Sequence, residues 1–164
     1  MSRPGPLALA LVLSLAACGE GAFVPDGPLA ELPVEPAEIV PAAAIVERAD
    51  VPTVDPSRLE DADIAKALGG PASCVFRYTP DGAPVVAFAA ADRAVMKING
   101  DLVVLDVAAA SAAIAAASGP IALGLAIGGE GGWGVPETVR EADLRFTVAD
   151  QLDVAYSGYT DCAV

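Results

Sequence analysis

From Ser73 to the end of the chain, apolar side chains recur at every second position, the period of a half-buried β-strand. In "SCVFRYT", Cys74, Phe76 and Tyr78 share one face and Val75 and Arg77 the other. Thr79-Pro80-Asp81-Gly82 then supplies turn chemistry before "PVVAFAA", so a hairpin is expected. "AVMKINGDLVVLDV" centres on Asn99-Gly100, the strongest short hairpin signal. A two-residue turn there pairs Ile98 with Asp101, Met96 with Val103 and Ala94 with Leu105. That register gathers Met96, Ile98, Val103 and Leu105 on an apolar face and sets Arg93 across from Asp106 on a charged one.

The same alternation returns later. In "IALGLAIGG", Ile121, Leu123, Leu125 and Ile127 alternate with Ala122, Gly124 and Ala126. "ADLRFTV" and "LDVAYSGYTDC" place Leu144, Phe146 and Val148 against Leu152, Val154 and Tyr156. Their faces agree only if a three-residue connection, Ala149 to Gln151, pairs Val148 with Leu152. Two segments read instead as helices. Ser57 and Glu60 fit a capping box opening a helix that ends at Leu68 before Gly69-Gly70, with Ile64 and Leu68 one turn apart. "VAAASAAIAAASG", Val107 to Gly119, is Ala-rich and is expected to be helical, although its flanks cap it poorly. The expected fold class is mainly β: a small antiparallel sandwich or barrel with one or two short helices.

Upstream of Ser57 the pattern breaks down. Pro25, Pro28, Pro33, Pro36, Pro41, Pro52 and Pro56 punctuate a stretch rich in Ala, Glu, Asp and Val, which forbids a long helix and leans towards extended chain. Pro41 to Asp50 could form a helical turn or a binding strip, but an unstructured linker is expected. Before this, Arg3 precedes an uncharged run of eleven residues, Leu7 to Ala17. Such a run suits a secretory signal and is too short to span a bilayer, which takes about 20 apolar residues.

Leu15-Ala16-Ala17-Cys18 resembles the lipobox of bacterial lipoproteins. The resemblance implies cleavage before Cys18, a diacylglyceryl thioether on its sulfur and a lipid attachment to a membrane. Acyl chains contribute about 0.8 kcal/mol per buried CH₂, so two or three of them hold a protein without a spanning helix. In that family an Asp just after the Cys tends to retain the protein at the inner membrane. Gly19 stands there, so an outer-membrane address facing the periplasm is favoured. The expected organisation is a signal peptide over 1–17, a lipidated Cys and tether over 18–56, and a β-rich globular domain over 57–164.

With Cys18 assigned to lipid, Cys74 and Cys162 remain in a compartment where disulfides persist, and they have one intramolecular pairing. Both share the parity of the inward face. No CxxC and no nearby cationic run activates either thiol. Closing their loop stabilises the domain by roughly 4 to 5 kcal/mol in the chain-entropy description.

Composition narrows the function classes. The chain has 22 acidic and 9 basic residues, no His and a formal net charge of −13. Nucleic acid is an unsuitable partner, and an anionic membrane surface repels the folded part, leaving the lipid as the attachment. Without His, and with Cys74 and Cys162 paired, the usual bases, metal ligands and thiol nucleophiles are missing, and no catalytic motif is present. Asp61 and Asp63 lack the spacing of a Ca²⁺ loop and are explained as acids at a helix N-terminus. No enzyme activity, cofactor or metal is expected.

The candidate interaction feature is "GGEGGWGVPE", where Trp133, the only Trp, stands among five glycines. An exposed Trp133 would be a binding anchor; the expected arrangement is that it folds back as a lid over the barrel end. The lipobox, an early Cys paired with a late one, and "KINGDLVVL" followed by Ser118-Gly119 are together similar to the membrane-bound inhibitors of c-type lysozyme. That resemblance implies a small barrel and a lysozyme partner. The residues after Ser118-Gly119, Pro120-Ile121-Ala122, depart from the inhibitory motif, so no inhibitory residue carries over. The expected function is a non-enzymatic envelope lipoprotein whose periplasmic domain binds a protein or cell-wall component; the alternatives are a lysozyme inhibitor of that kind and a purely structural or accessory envelope protein.

Overall fold

In a computed structural model of the chain, residues 34–48, 56–89, 92–110 and 113–162 are described. Residues 1–33 and 49–55, which include the expected signal peptide, Cys18 and part of the expected tether, lie outside them. The described elements are helices α1 (Ala42–Arg48) and α2 (Asp61–Leu68) and nine strands. The strands are β1 (Pro56–Ser57), β2 (Cys74–Arg77), β3 (Val86–Phe88), β4 (Arg93–Ile98), β5 (Asp101–Ala110), β6 (Ala113–Ser118), β7 (Ile121–Glu130), β8 (Val139–Val148) and β9 (Leu152–Cys162).

Eight of them close a barrel in the order β4-β3-β2-β9-β8-β7-β6-β5, with β5 returning to β4 and every neighbour antiparallel. β1 extends the ladder by pairing with the end of β4. Closure removes the free sheet edges that would otherwise invite association.

The hairpin registers follow the sequence. Ile98 faces Asp101, Met96 faces Val103 and Arg93 faces Asp106 around an Asn99-Gly100 turn whose φ values are 52° and 91°. Positive φ at both central residues gives the turn the twist of the flanking strands, which is why Asn-Gly is favoured there. Val148 pairs with Leu152 and Phe146 with Val154, as the three-residue connection requires. The inward faces fill the barrel: Phe76, Met96, Leu105, Leu125, Leu144 and Phe146 are fully buried. Cys74 and Cys162 sit directly opposite each other across β2 and β9 and form a disulfide, with a Cα separation of 3.9 Å.

Three local expectations are corrected. The Ala-rich stretch 107–119 is a hairpin, not a helix: β5 runs to Ala110 and β6 takes Ala113–Ser118. Alanine's helical advantage is at most about 0.7 kcal/mol per residue over other ordinary residues, a weak preference. Both edges of β6 complete ladders with β5 and β7, and a helix there would leave one edge of each of those strands unpaired and the barrel open.

The cap of α2 lies three residues beyond Ser57. Ser57 is in β1, where its Oγ donates to the Lys97 carbonyl, and Glu60 is the N-cap. Asp63, at the third helical position, accepts from the Glu60 amide at 3.1 Å. The stop at Gly69 holds, in the left-handed conformation with its N–H on the Ala65 carbonyl.

The third correction concerns residues 34–48, expected to be tether. They pack against the barrel. Ile39 forms a parallel bridge with Leu102, the Leu102 N–H donates to the Glu38 carbonyl, and the Val40 N–H donates to the Leu102 carbonyl. α1 then buries Ala42 and Ile45 in the barrel core. Pro41 stands before the first helical turn, where a missing N–H costs nothing. A seven-residue helix is unstable alone; burial of Ile45 is what supports it.

The outward face of β3, β4 and β5 is covered too. Leu59, Ile64, Ala67 and Leu68 pack on Ala87, Val95 and Leu102, giving this side of the sheet a second apolar layer. Two cations on this outward face, Arg93 and Lys97, are engaged by α2, while Asp106 stays exposed. The Arg93 guanidinium donates to the Ala67 and Leu68 carbonyls at the helix C-terminus, where the dipole favours a cation. The Lys97 ammonium meets Asp63 at 2.9 Å. Asp63, only 1% exposed, also accepts from the Ala37 amide at 2.8 Å, and Lys66 donates to the Ala37 carbonyl at 2.7 Å. These contacts strap the 36–37 segment onto α2.

Candidate functional site

β7 and β8 are among the longest strands, and the loop that joins them at Gly131–Thr138 carries Trp133. The ladder between them shifts register between Ile127 and Glu130, and the Arg140 side chain donates to the Gly128 carbonyl at 3.2 Å. The loop is closed by its own backbone. The Gly131 N–H donates to the Val139 carbonyl, that of Val135 to Gly132, and that of Val139 to Pro136.

Gly132 and Gly134 have φ of 83° and 84°, a region that L side chains avoid. They let the chain turn away from the barrel on either side of Trp133. Gly131 is buried, and Val135 is half-buried beside it, so close that a Cβ on Gly131 would meet the Val135 side chain at 2.6 Å. Val135 therefore occupies the inward position at the loop base. Trp133, with a relative exposure of 104%, stands fully in solvent. The expected lid does not form, because the glycine pair directs Trp133 outward and the smaller Val135 is the side chain that packs.

Two concavities lie on the strands that carry this loop, and one of them takes in loop residues. One, of about 520 Å³, lies over the strands β7, β8 and β9 and is lined by Gly128, Glu141, Asp143, Ser157, Tyr159 and Tyr78, among others. Register explains their grouping: Glu141 pairs with Tyr159 and Asp143 with Ser157, all four on positions that alternate with the inward row. The Ser157 hydroxyl donates to Asp143 at 2.8 Å. Arg145, two residues further along β8, is engaged by Asp153 through a two-point ion pair, Nε to Oδ1 at 2.8 Å. Hydrogen bonding from that guanidinium holds the Asp153 carboxyl below its ordinary range. Among the described residues no Lys or Arg pairs with Glu141 or Asp143.

The second concavity, of about 710 Å³, is bounded by Glu137 and Thr138 of the loop, by Arg140, and by Thr160, Asp161 and Cys162 at the end of β9. Asp161 lies 3.9 Å from Arg77. The disulfide is therefore at its wall. The Thr160 hydroxyl is within 3.3 Å of the Cys74 sulfur and 3.2 Å of the Cys162 sulfur, and it donates to the Val75 carbonyl.

Of the residues singled out in the sequence, the structure joins Cys74 to Cys162, exposes Trp133 and places Asp61 and Asp63 in the first turn of α2. Asp63 is bound to Lys97 and two amides. Among the described residues no group of three or more His, Cys, Asp or Glu could hold a metal ion. The sequence reading missed Glu141, Asp143, Ser157 and Tyr159. The strand alternation and the three-residue connection already placed them on the outer face, but nothing in the sequence says that this face is concave.

No described helix is long and apolar enough to cross a membrane. No curated protein matches the chain, and no solved structure does. A family model described as a domain of unknown function, DUF6692, matches residues 14–164, nearly the whole chain, and the protein belongs to that family.

Proposed function

We propose that the protein is a lipid-anchored lipoprotein of the cell envelope, whose barrel domain binds a protein or cell-wall partner without catalysing a reaction. The observation that carries the binding reading is the full exposure of Trp133 on a hydrogen-bonded turn. Trp is among the residues most enriched at binding hot spots, because it supplies a large rigid contact area at little entropic cost. Phe76, Phe88 and Phe146 are buried, whereas Trp133 is displayed in full, as a side chain built for contact would be. The anchor rests on the lipobox at Cys18, with Gly19 favouring the outer membrane.

Trp133→Ala tests the binding site. It removes no packed contact, so the unfolding free energy measured in urea stays within about 0.5 kcal/mol of the parent. Crosslinked capture of a partner from solubilised envelopes by the full-length protein falls by about tenfold or more, the usual effect of truncating a hot spot. Equal capture by both proteins would remove Trp133 from the interface. Absence of any specific capture would count against binding altogether.

The anchor has its own test. Cys18→Ser leaves unprocessed precursor or a soluble pool, and the intact mass of the parent from the membrane fraction carries acyl chains. A mature mass without them would overturn lipidation. A second reading, a c-type lysozyme inhibitor, is favoured by the small closed barrel stapled between an early and a late Cys. Its test is inhibition of a c-type lysozyme by the purified protein, and no inhibition would dismiss it.

A further inference from the structure

The groove over β7, β8 and β9 starts within a few residues of the Trp133 loop on both of the strands that carry it. Glu141 and Asp143 stand two residues apart on one face of β8, about 7 Å along the strand. Asp143 gives one oxygen to Ser157 and keeps the other for a further donor; of the two cations on the same strand, Arg145 is held by Asp153 and Arg140 by the Gly128 carbonyl, so neither neutralises the pair through an ion pair. Tyr159, half-buried and opposite Glu141 in the ladder, brings an aromatic side chain beside the carboxylates. Small residues, Ala126 and Gly128, line the same groove and leave room for a long side chain to lie along it. Carboxylates with an aromatic ring are the combination that holds an ammonium or guanidinium, through charge-assisted hydrogen bonds and contact with the ring face.

We infer that this groove receives Lys or Arg side chains of an extended basic polypeptide segment whose neighbouring residues lie against Trp133. The inference rests on the binding reading above and names its partner class. The chain's net charge of −13 attracts such a segment over distance and repels phosphate-rich or other polyanionic partners. Long-range attraction would act on any basic peptide. What distinguishes a site is that two particular carboxylates matter more than two others of equal charge.

Because Trp133 is the sole Trp, its fluorescence in the full-length protein reports binding directly. The probes are a nona-arginine peptide, a nona-glutamine peptide and a soluble peptidoglycan tetrasaccharide, each titrated at low and moderate salt. Nona-arginine shifts the emission saturably, more weakly as salt rises, and nona-glutamine does not. The double variant E141Q/D143N weakens nona-arginine by about tenfold or more, a difference of about 1.4 kcal/mol. The isocharge control D81N/D106N, on exposed residues outside the groove, changes it by less than about twofold.

Equal weakening by the two double variants would overturn the site in favour of a diffuse field. Binding of the tetrasaccharide, lost in E141Q/D143N, with none of nona-arginine would also overturn it and assign the groove to sugar. If nona-arginine fails while Trp133-dependent capture from envelopes succeeds, the basic segment is wrong and the binding reading stands. If that capture fails as well, the binding reading falls with it.

Discussion

Replacing Asp63 by Ala destabilises the folded domain by about 2 to 4 kcal/mol, because it strips the half-buried Lys97 ammonium and two backbone amides of their acceptor. Asp63 is 1% exposed and serves three partners at once: the Lys97 ammonium, the Glu60 amide and the Ala37 amide. Its loss leaves Lys97 without its carboxylate, removes one of the two bonds of the α2 capping box and loosens the 36–37 segment, which Lys66 still holds. Urea midpoints of the full-length variant measure the cost, and hydrogen exchange at residues 36–40 reports release of the strap. A change below about 1 kcal/mol would show that the three contacts carry little.

The same residue predicts a pH dependence. Burial alone raises the Asp63 pKa, but the hydrogen bonds from Lys97, Ala37 and Glu60, with the Lys97 charge, outweigh it and hold the carboxyl below its ordinary value of 3.8. A depressed folded-state value means that the stabilisation is fully present above the unfolded carboxyl range near 4, and is lost as pH falls through the lower folded value. The stability gap between the parent and Asp63→Asn is therefore constant near neutrality and narrows below about pH 4. A gap independent of pH down to about pH 2 would separate Asp63 from the acid transition.

Removing the Cys74–Cys162 bridge, by reduction or by the double change to Ser, lowers stability by roughly 2 to 5 kcal/mol. The crosslink spans 88 residues of sequence, so it excludes a large part of the unfolded chain's freedom. It also pins β2 to β9, a seam with four paired positions, whereas β8 and β9 pair over ten. The expected Tm fall is roughly 10 °C. Two Ser hydroxyls can bond with Thr160, which already lies beside both sulfurs, so the variant tests the crosslink more than the loss of packing. Peptide mapping of the parent links the two cysteines. Two readily alkylated thiols at those positions would refute the bridge.

Much of the barrel was legible from alternation because strand faces are a local property. The register of β4 with β5 followed from Asn99-Gly100, and that of β8 with β9 from matching faces across three connecting residues. Once the parity of Cys74 and Cys162 was known, an inward pairing needed only adjacent strands. The stop of α2 at Gly69 was equally local, a glycine placed to take positive φ.

Where the sequence reading failed, the deciding energy came from partners distant in the chain. Val107 to Gly119 has helical propensity, but β6 completes ladders with β5 and β7 that a helix would forfeit. Residues 34–48 look like tether because prolines break local structure, yet Ile45 enters the core and Ile39 bridges Leu102. Ser57 and Glu60 fit a capping box, but a bridge between Ser57 and Lys97 moves the cap to Glu60. The composition flags Trp133, while its exposure depends on which neighbour packs at the loop base, and Val135 takes that place. Strand parity put Glu141, Asp143, Ser157 and Tyr159 on one face; only closure of the barrel and the register shift near Gly128 surround them with a groove. Sequence determines which side chains share a face, because that depends on backbone geometry over a few residues. What each face meets is settled by chain closure over the whole domain.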